Sequence, residues 1–317
     1  MINIALVGSG ELGSRHLQSL IGIDNATITV VEPSGTSVKM SQKRISESGV
    51  VKKSTVFFVD EVKHLPQEVD FVVIATGAGP RLSVIRDLLS HAKVKYLLLE
   101  KVLFQSVEDY AEARKLIESQ NVKVWVNCPR RMFKFYSSIK LNLNTSKPII
   151  MEVKGGNWGL ACNSVHFIDI FSFLTESKVV RVVNDDLENK IYPSKRKGYV
   201  EFFGVLTVTF TNNHVLKLDC THDNMQMEIA IHSTDGTCKI DEVNGNIFYN
   251  GAKSNIEVLI KHQSELTQSV LEEVLPFGQT RLTNFDEACE YHIPLIESFL
   301  SFYNKTEGLE ASVLPIT

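Results

Sequence analysis

The chain has 317 residues, 44% of them hydrophobic and 22% charged, and carries a formal net charge of −4. That length is enough for two domains with sizeable cores, and the charge offers no basic surface for a phosphate backbone, so no nucleic-acid partner is expected. No run approaches about 18 consecutive apolar residues, and no basic and apolar leader precedes the first strand, so the expectation is a cytoplasmic protein with no membrane partner. The five cysteines (Cys128, Cys162, Cys220, Cys238 and Cys289) form no CxxC pair and the nine histidines no HExxH pattern, which argues against a disulfide framework and against a metal site.

The strongest pattern lies at the start. Ile2–Val7 is an apolar run, Gly8-Ser9-Gly10-Glu11-Leu12-Gly13 follows, an amphipathic stretch reaches Leu20, and Ala26–Val31 is a second β-rich run ending in Glu32. This order predicts strand, glycine turn, helix, strand and acid. Gly8 suits a sharp turn with positive φ, Gly10 lets the backbone approach a pyrophosphate, and Gly13 lets helix pack on strand. The phosphates would lie at the helix N-terminus, where unpaired N–H groups and the dipole favour negative charge. Glu32 falls at about the ~20-residue offset of the acid that holds the adenosine ribose hydroxyls. A carboxylate there repels a 2′-phosphate and Pro33-Ser34-Gly35 supplies no cation, so NAD is expected over NADP.

Strand and helix patterns then alternate: helix over 37–48, strand over 56–59, a buried strand over 69–75, helix over 82–91, strand over 96–99, helix over 107–119 and strand over 122–126. In a doubly wound sheet the loops at the carboxyl ends of strands form the ligand crevice, which puts Ala75-Thr76-Gly77 and Glu100 with Ser9, Glu11, Leu12 and the glycines on the cofactor. The period changes after 127. A helix over 129–141 is expected to lead into a second domain, with strands over 149–154, 199–211, Val215–Thr221, 225–232 and Gly236–Asp241, and helices over 165–174 and 284–303. Successive strands with tight turns predict an antiparallel sheet. Two domains result, a dinucleotide-binding one over 1–127 and an α+β one over 128–317 for substrate and oligomerisation. Two helices cover one sheet face; an apolar second face predicts a homodimer or homotetramer.

The glycine turn extended by Arg15-His16, the Ile74-Ala75-Thr76 strand end, Glu100-Lys101, the crossover from Asn127 to Arg131, and Gly159 onward with His166-Phe167-Ile168-Asp169 together resemble, in order and spacing, the Gfo/Idh/MocA oxidoreductases, the family of glucose-fructose oxidoreductase and inositol dehydrogenase. The resemblance covers nearly the whole chain. It implies a Rossmann domain, a second domain with an open, mostly antiparallel sheet, and NAD(P)-dependent redox chemistry at a carbon of a sugar or cyclitol. It also implies that Lys101 and His166 line the substrate site and are the catalytic candidates. The chemistry agrees, because removing hydride from a secondary alcohol requires a base or relay for its proton. A strand-end lysine can serve if its pKa is lowered, and histidine can relay near neutrality. The alternatives are a solvated Lys101 beside Glu100 and a packed His166 on an apolar helix.

The chain departs from the family pattern at three places. The proline of a Glu-Lys-Pro motif is Val102, the acid four residues before His166 is Cys162, and the proline of an Ala-Thr-Pro loop is Gly77, with a family histidine falling near Arg81. For substrate, Arg130 and Arg131 could hold an anionic group, and Asn163 and Asp169 are further polar candidates, Asp169 equally a buttress. Lys195-Arg196-Lys197 either reaches a diphosphate or forms a solvated turn. Trp158 and Tyr199 stack on a sugar or belong to the core. The Asn157-Trp158-Gly159 and Leu314-Pro315-Ile316-Thr317 strings resemble members in surface-polysaccharide pathways, which implies an amino- or deoxy-sugar, nucleotide-linked or not. Two other classes remain open: a non-catalytic NAD-binding regulatory or scaffold subunit, and an NAD-retaining glycosidase.

Overall fold

Apolar runs without polar alternation form parallel strands when both their faces are covered, and the runs at 71–74 and 96–99 are of this kind in a first sheet of six parallel strands. The computed structural model describes residues 1–317. It divides into one unit of Met1–Phe104, Glu108–Asn127 and Lys261–Phe285, and a second of Gln105–Val107, Cys128–Ile260 and Asp286–Thr317. Where the sequence suggests one division after 127, the chain returns to the first unit for 261–285. No helix is long and apolar enough to cross a membrane.

The leading part of the chain runs β1 (Ile2–Val7), α1 (Gly13–Leu20), β2 (Ala26–Val31), α2 (Gly35–Glu47), β3 (Thr55–Val59), β4 (Glu68–Ile74), α3 (Ala78–His91), β5 (Lys93–Leu99), α4 (Val107–Gln120) and β6 (Lys123–Val126). The strands lie in the order β3-β2-β1-β4-β5-β6, all parallel. This is the doubly wound order that places a ligand crevice where the strand order reverses, beside β1. Val72, Val73, Leu97 and Leu98 have no exposed surface, as expected for strands covered on both faces.

The rest runs α5 (Lys134–Leu141), β7 (Ile150–Gly156), α6 (Leu160–Thr175), β8 (Val179–Leu187), β9 (Tyr192–Pro193), β10 (Val200–Glu201), β11 (Gly204–Phe210), β12 (Val215–Thr221), β13 (Glu228–Ser233), β14 (Gly236–Asp241), β15 (Asn246–Tyr249), β16 (Ala252–Lys253), α7 (Gln263–Phe277) and α8 (Phe285–Glu307). The expected helix over 129–141 is a 3-10 turn, Pro129–Met132, and α5, separated by an extended Phe133. The expected strand over 199–211 breaks into β10 and β11, where Gly204 turns at φ +103°. Helix α7 packs on α1 within the first unit, and its start is tied by a capping box between His262 and Glu265, which satisfies two otherwise orphan N–H groups.

The second unit's sheet has eight strands in the order β16-β15-β14-β13-β7-β12-β11-β8. It is antiparallel except for β7 beside β12. That parallel pair is possible because the chain crosses back through α6, β8 and β11 before β12. One face is apolar: Phe171 of α6 meets Phe210 of β11 edge-on at 5.0 Å between centroids, and Phe202 meets Phe299 of α8 at 4.8 Å.

The other face corrects an expectation. It is polar, with Glu152 within 3.5 Å of both Lys217 and His232, and Lys154 within 3.5 Å of Asp219. Alternation along the strands sends one apolar residue inward for each polar one outward, so the face needs no apolar cover. A symmetric partner on it would be held by charge and hydrogen bonding, which salt screens. Light scattering at micromolar protein should therefore show a dimer or tetramer that loses mass as salt rises. A monomer of 35.6 kDa at low salt would contradict association through this face.

Candidate functional site

Parallel registry aligns Val59, Val31, Val7, Ile74, Leu99 and Val126 across the first sheet. The next residues, Asp60, Glu32, Gly8, Ala75, Glu100 and Asn127, thus share one carboxyl edge. Ladder hydrogen bonds continue into this row, from Gly8 N to Val31 O at 2.9 Å, Glu32 N to Val59 O at 2.8 Å and Ala75 N to Val7 O at 2.9 Å. Sequence positions nearly 100 apart are brought together by registry alone.

The glycine turn has the geometry its sequence predicts. Gly8 turns at φ +86°. A Cβ on Gly13 would sit 2.0 Å from the Gly8 carbonyl oxygen, whereas one on Gly10 would meet nothing within 4 Å. Gly13 is therefore bare because chain touches chain, and Gly10 because the space beside it is open to a phosphate. In the same region the Ser9 and Thr76 hydroxyls are buried and lack a hydrogen-bond partner, as suits side chains aimed at a polar ligand. Together with Glu32 these residues fit a dinucleotide.

Glu32 accepts hydrogen bonds from Ser9 N at 2.7 Å and Ser34 N at 2.9 Å, which fixes its carboxylate beside the turn. It lines a cleft of about 410 Å³ with Val38, Phe58, Val59, Asp60 and His64, where a second carboxylate, Asp60, adds negative charge. Sequence reasoning missed a nearby cation. Arg44 of α2 donates to Glu11 O at 2.6 Å and also binds the Glu11 carboxylate and the Ser14 hydroxyl. Its guanidinium is thus neutralised by Glu11 and braces the turn.

Glu100, which the sequence places among the cofactor ligands, is 3% exposed. It accepts from His16 Nε2 at 2.8 Å and from Asn127 Nδ2. Asn127 also donates to Gln263 Oε1 at 2.8 Å, and His16 Nδ1 lies 2.8 Å from Thr267 Oγ1. Burial pushes the Glu100 carboxyl up, but the His16 ring, the Asn127 amide and the Lys101 charge together hold it below the usual carboxylate range. Half-buried Lys101 follows at once; its peptide bond to Val102 is cis. Arg81 of α3 donates to the carbonyls of Thr76, Val102 and Leu103. His16 and Asn127 were visible in the sequence only through the resemblance, and Gln263, Thr267 and Arg44 not at all.

In the second unit, Cys162, Asn163 and His166 are the half-buried positions in the first three turns of α6, whose other residues there are buried. Spacings of three and four put His166 on one face with both. Gly159, at φ +83°, precedes the helix, and a Cβ there would lie within 3.0–3.3 Å of Asn163 Nδ2, Cys162 Sγ and Glu201 Oε2. Glu201 Oε1 accepts from Ala161 N and Phe202 N, so this carboxylate, not singled out from the sequence, caps α6. Half-buried Trp158 donates from its indole to Asp219 O at 2.9 Å and meets Phe167 edge-on. Lys195 Nζ donates to Asn157 O at 3.3 Å, so the basic run lies against the loop that opens α6.

The two arginines of the crossover turn are engaged by carboxylates. Arg130 donates to both oxygens of Glu242 at 3.0 and 2.8 Å, with its guanidinium 4.3 Å from the Phe167 ring centroid. Arg131, 5% exposed, contacts Asp169 at 2.8 Å and Glu287 at 2.7 Å. Asp169 has no exposed surface and also accepts from Tyr291 at 3.0 Å. Burial pushes its carboxyl up to about 6 against the pull of Arg131 and Tyr291.

Residues 2–128 match the family described as oxidoreductases with an NAD-binding Rossmann fold. That stretch carries the Rossmann domain of the Gfo/Idh/MocA oxidoreductases. Solved structures of similar fold include UDP-N-acetylglucosamine 3-dehydrogenase GnnA from Acidithiobacillus ferrooxidans (12% identity, 94% of this chain and 96% of that one, TM-score 0.72). Another is an oxidoreductase from Agrobacterium radiobacter in complex with NAD+, L-tartaric acid and magnesium (15%, 96% and 97%, 0.73). A third is the transcriptional regulator Gal80p from Kluyveromyces lactis (15%, 96% and 93%, 0.69). At such identities the likeness is one of fold. No curated protein sequence matches the chain.

Two expectations follow from this geometry. The Glu32 and Asp60 carboxylates face the adenosine cleft while Arg44 is neutralised, so NADPH should bind at least ~10-fold more weakly than NADH, a difference of about 1.4 kcal/mol. Titration of both by fluorescence checks this, and equal or tighter NADPH binding would refute it. For Asp169 the folded value of about 6 lies above the ordinary 3.8. Its contribution to stability is therefore complete below the lower value and lost as pH rises through the upper one. Relative to Asp169→Asn, the parent should lose roughly 1–3 kcal/mol between about pH 4 and pH 7. Denaturant melts of both proteins decide; a parent advantage that grows with pH would mean that the Arg131 pair outweighs burial.

Proposed function

We propose that this chain transfers a hydride between NAD and a secondary alcohol or ketone of a sugar, with a nucleotide-linked amino- or deoxy-sugar of surface-polysaccharide formation as the favoured substrate. The observation that carries the reading is the position of Lys101. It directly follows Glu100 in the row of strand ends that also holds the glycine turn and Glu32, which supports a role for its ammonium at the cofactor crevice. Bound nicotinamide would supply the hydride acceptor or donor. The protein's own task is to hold the turn, orient the reacting carbon and move one proton.

Lys101 takes the hydroxyl proton during oxidation and returns it during reduction, or fixes the oxygen through a hydrogen bond. His166, on the polar face of α6 with Asn163 and Cys162, assists in substrate binding and proton relay. Cys162 accepts hydrogen bonds weakly and cannot orient the imidazole as a carboxylate would, so Lys101 bears the larger share. The basic run beside Asn157 suits a diphosphate, and the fold shared with a UDP-N-acetylglucosamine 3-dehydrogenase agrees with a nucleotide-linked sugar. The fold shared with Gal80p supports a second reading, in which NAD binds without turnover.

With UDP-N-acetylglucosamine and related nucleotide sugars as probes, Lys101→Met should slow single-turnover hydride transfer by about 10²–10⁴-fold and leave NADH affinity unchanged. His166→Asn should be milder. Parent-like turnover in Lys101→Met would remove the lysine from the chemistry. NADH binding by the parent with no turnover of any probe, and no sugar co-purified by mass spectrometry, would favour the regulatory reading.

A further inference from the structure

A family motif would place a proline after the lysine, where the ring fixes φ and stiffens the backbone; this chain has Val102. The first turn of α3 compensates for it. Arg81 is 1% exposed, and its guanidinium donates through one nitrogen to the carbonyls of Val102 and Leu103 and through the other to Thr76. Those carbonyls belong to two loops, one leaving β4 and one leaving β5, neighbours registered at Ile74 and Leu99. Only a planar fork of donors reaches carbonyls from both loops in one geometry. On the other side of the lysine, Glu100 is held by its own ladder bond to Ile74 O at 3.1 Å and by the His16 and Asn127 donors. The backbone that carries Lys101 is therefore restrained at both ends.

We infer that Arg81 is the positioning residue that holds Lys101 in register with the Thr76 loop, in the role the motif proline would have. The inference rests on the reading of Lys101 given above. Arg81 touches neither substrate nor cofactor in this role and acts through two carbonyl-bearing loops. A displacement of the lysine by an ångström is sufficient to cost a proton-transfer step about 10²-fold.

The test uses the full chain with NAD+ and UDP-N-acetylglucosamine as probe. Arg81→Lys keeps the cation but loses the fork. It should lower kcat by roughly 10- to 100-fold with a much smaller change in the KM for NAD+, and amide hydrogen exchange should speed up at 76–78 and 101–104 while β1 and β2 stay protected. Arg81→Lys combined with Val102→Pro should recover most of the loss, because the ring restores the restraint. Parent-like kcat and exchange in Arg81→Lys, beside an inactive Lys101→Met, would overturn the inference and leave the lysine's role standing. Parent-like turnover in Lys101→Met would instead overturn that role. A uniform rise in exchange over the whole first unit, unrelieved by Val102→Pro, would mark Arg81 as a general stabiliser and overturn the inference too. Should Arg81→Lys not fold, Val102→Ala in the parent decides: kcat near the parent's supports Arg81 as the restraint, and a loss like that of Lys101→Met assigns it to residue 102.

Discussion

A carboxylate with almost no contact with water stays ionised only where donors surround it, and the first unit is arranged around one such group, Glu100. Its donors come from α1 through His16 and from the end of β6 through Asn127, while Gln263 and Thr267 of α7 hold those donors in turn. The requirement explains why a chain that has already completed six parallel strands returns for 261–285. Without α7 the second ring nitrogen of His16 would lose its partner, and a half-satisfied buried network is worse than none. Lys101 follows that carboxylate, so the backbone that carries it depends on hydrogen bonds made by three other elements, α1, the end of β6 and α7.

Much of the first unit was legible because its information is local. Apolar runs give the strands, and the bounds of β1 and β2 agree with the sequence to the residue. The glycine turn was readable down to the separate reasons for Gly8, Gly10 and Gly13. Longer-range features were not. Nothing near Arg131 announces Asp169, 38 positions away, and nothing near Arg44 announces Glu11. Helix α7 was overlooked although Leu266, Val270, Leu271 and Val274 recur on one helical face; the signal existed, and polar residues around it concealed it. Strand β8 was missed because Arg181, Asn184, Asp185 and Asp186 give it the composition of a loop at the sheet's edge.

The second unit shows how burial sets the partners of a basic pair. Arg130 and Arg131 stand together in the crossover turn, as an anion site would require, yet each finds carboxylates inside its own unit. The reason is burial: a guanidinium packed against an aromatic ring, as Arg130 is against Phe167 and Arg131 against Phe173, costs much more than an exposed one unless acids accompany it. Glu242, Asp169 and Glu287 are those acids. The polar outward face of the sheet follows a related rule, since strands covered on one side alternate and pair their charges across the ladder. Charge in this half of the molecule is mainly structural, which on the proposed reading leaves recognition to the exposed basic run and to α6.

The start of α6 narrows that recognition further. A helix N-terminus attracts anions when its N–H groups are unpaired, but Glu201 already accepts from Ala161 N. On the proposed reading a substrate phosphate would gain little there, and Lys195-Arg196-Lys197 would be the more suitable partner for it. What α6 presents instead is side chains: a thiol, an amide and an imidazole on one half-buried face, with Gly159 kept bare because Asn163, Cys162 and Glu201 crowd the place of its Cβ. Such a face can bind neutral hydroxyls by donating and accepting hydrogen bonds. The distribution of donors is in keeping with the proposed substrate, whose polyhydroxylated part would meet α6 and whose anionic part would meet the basic run.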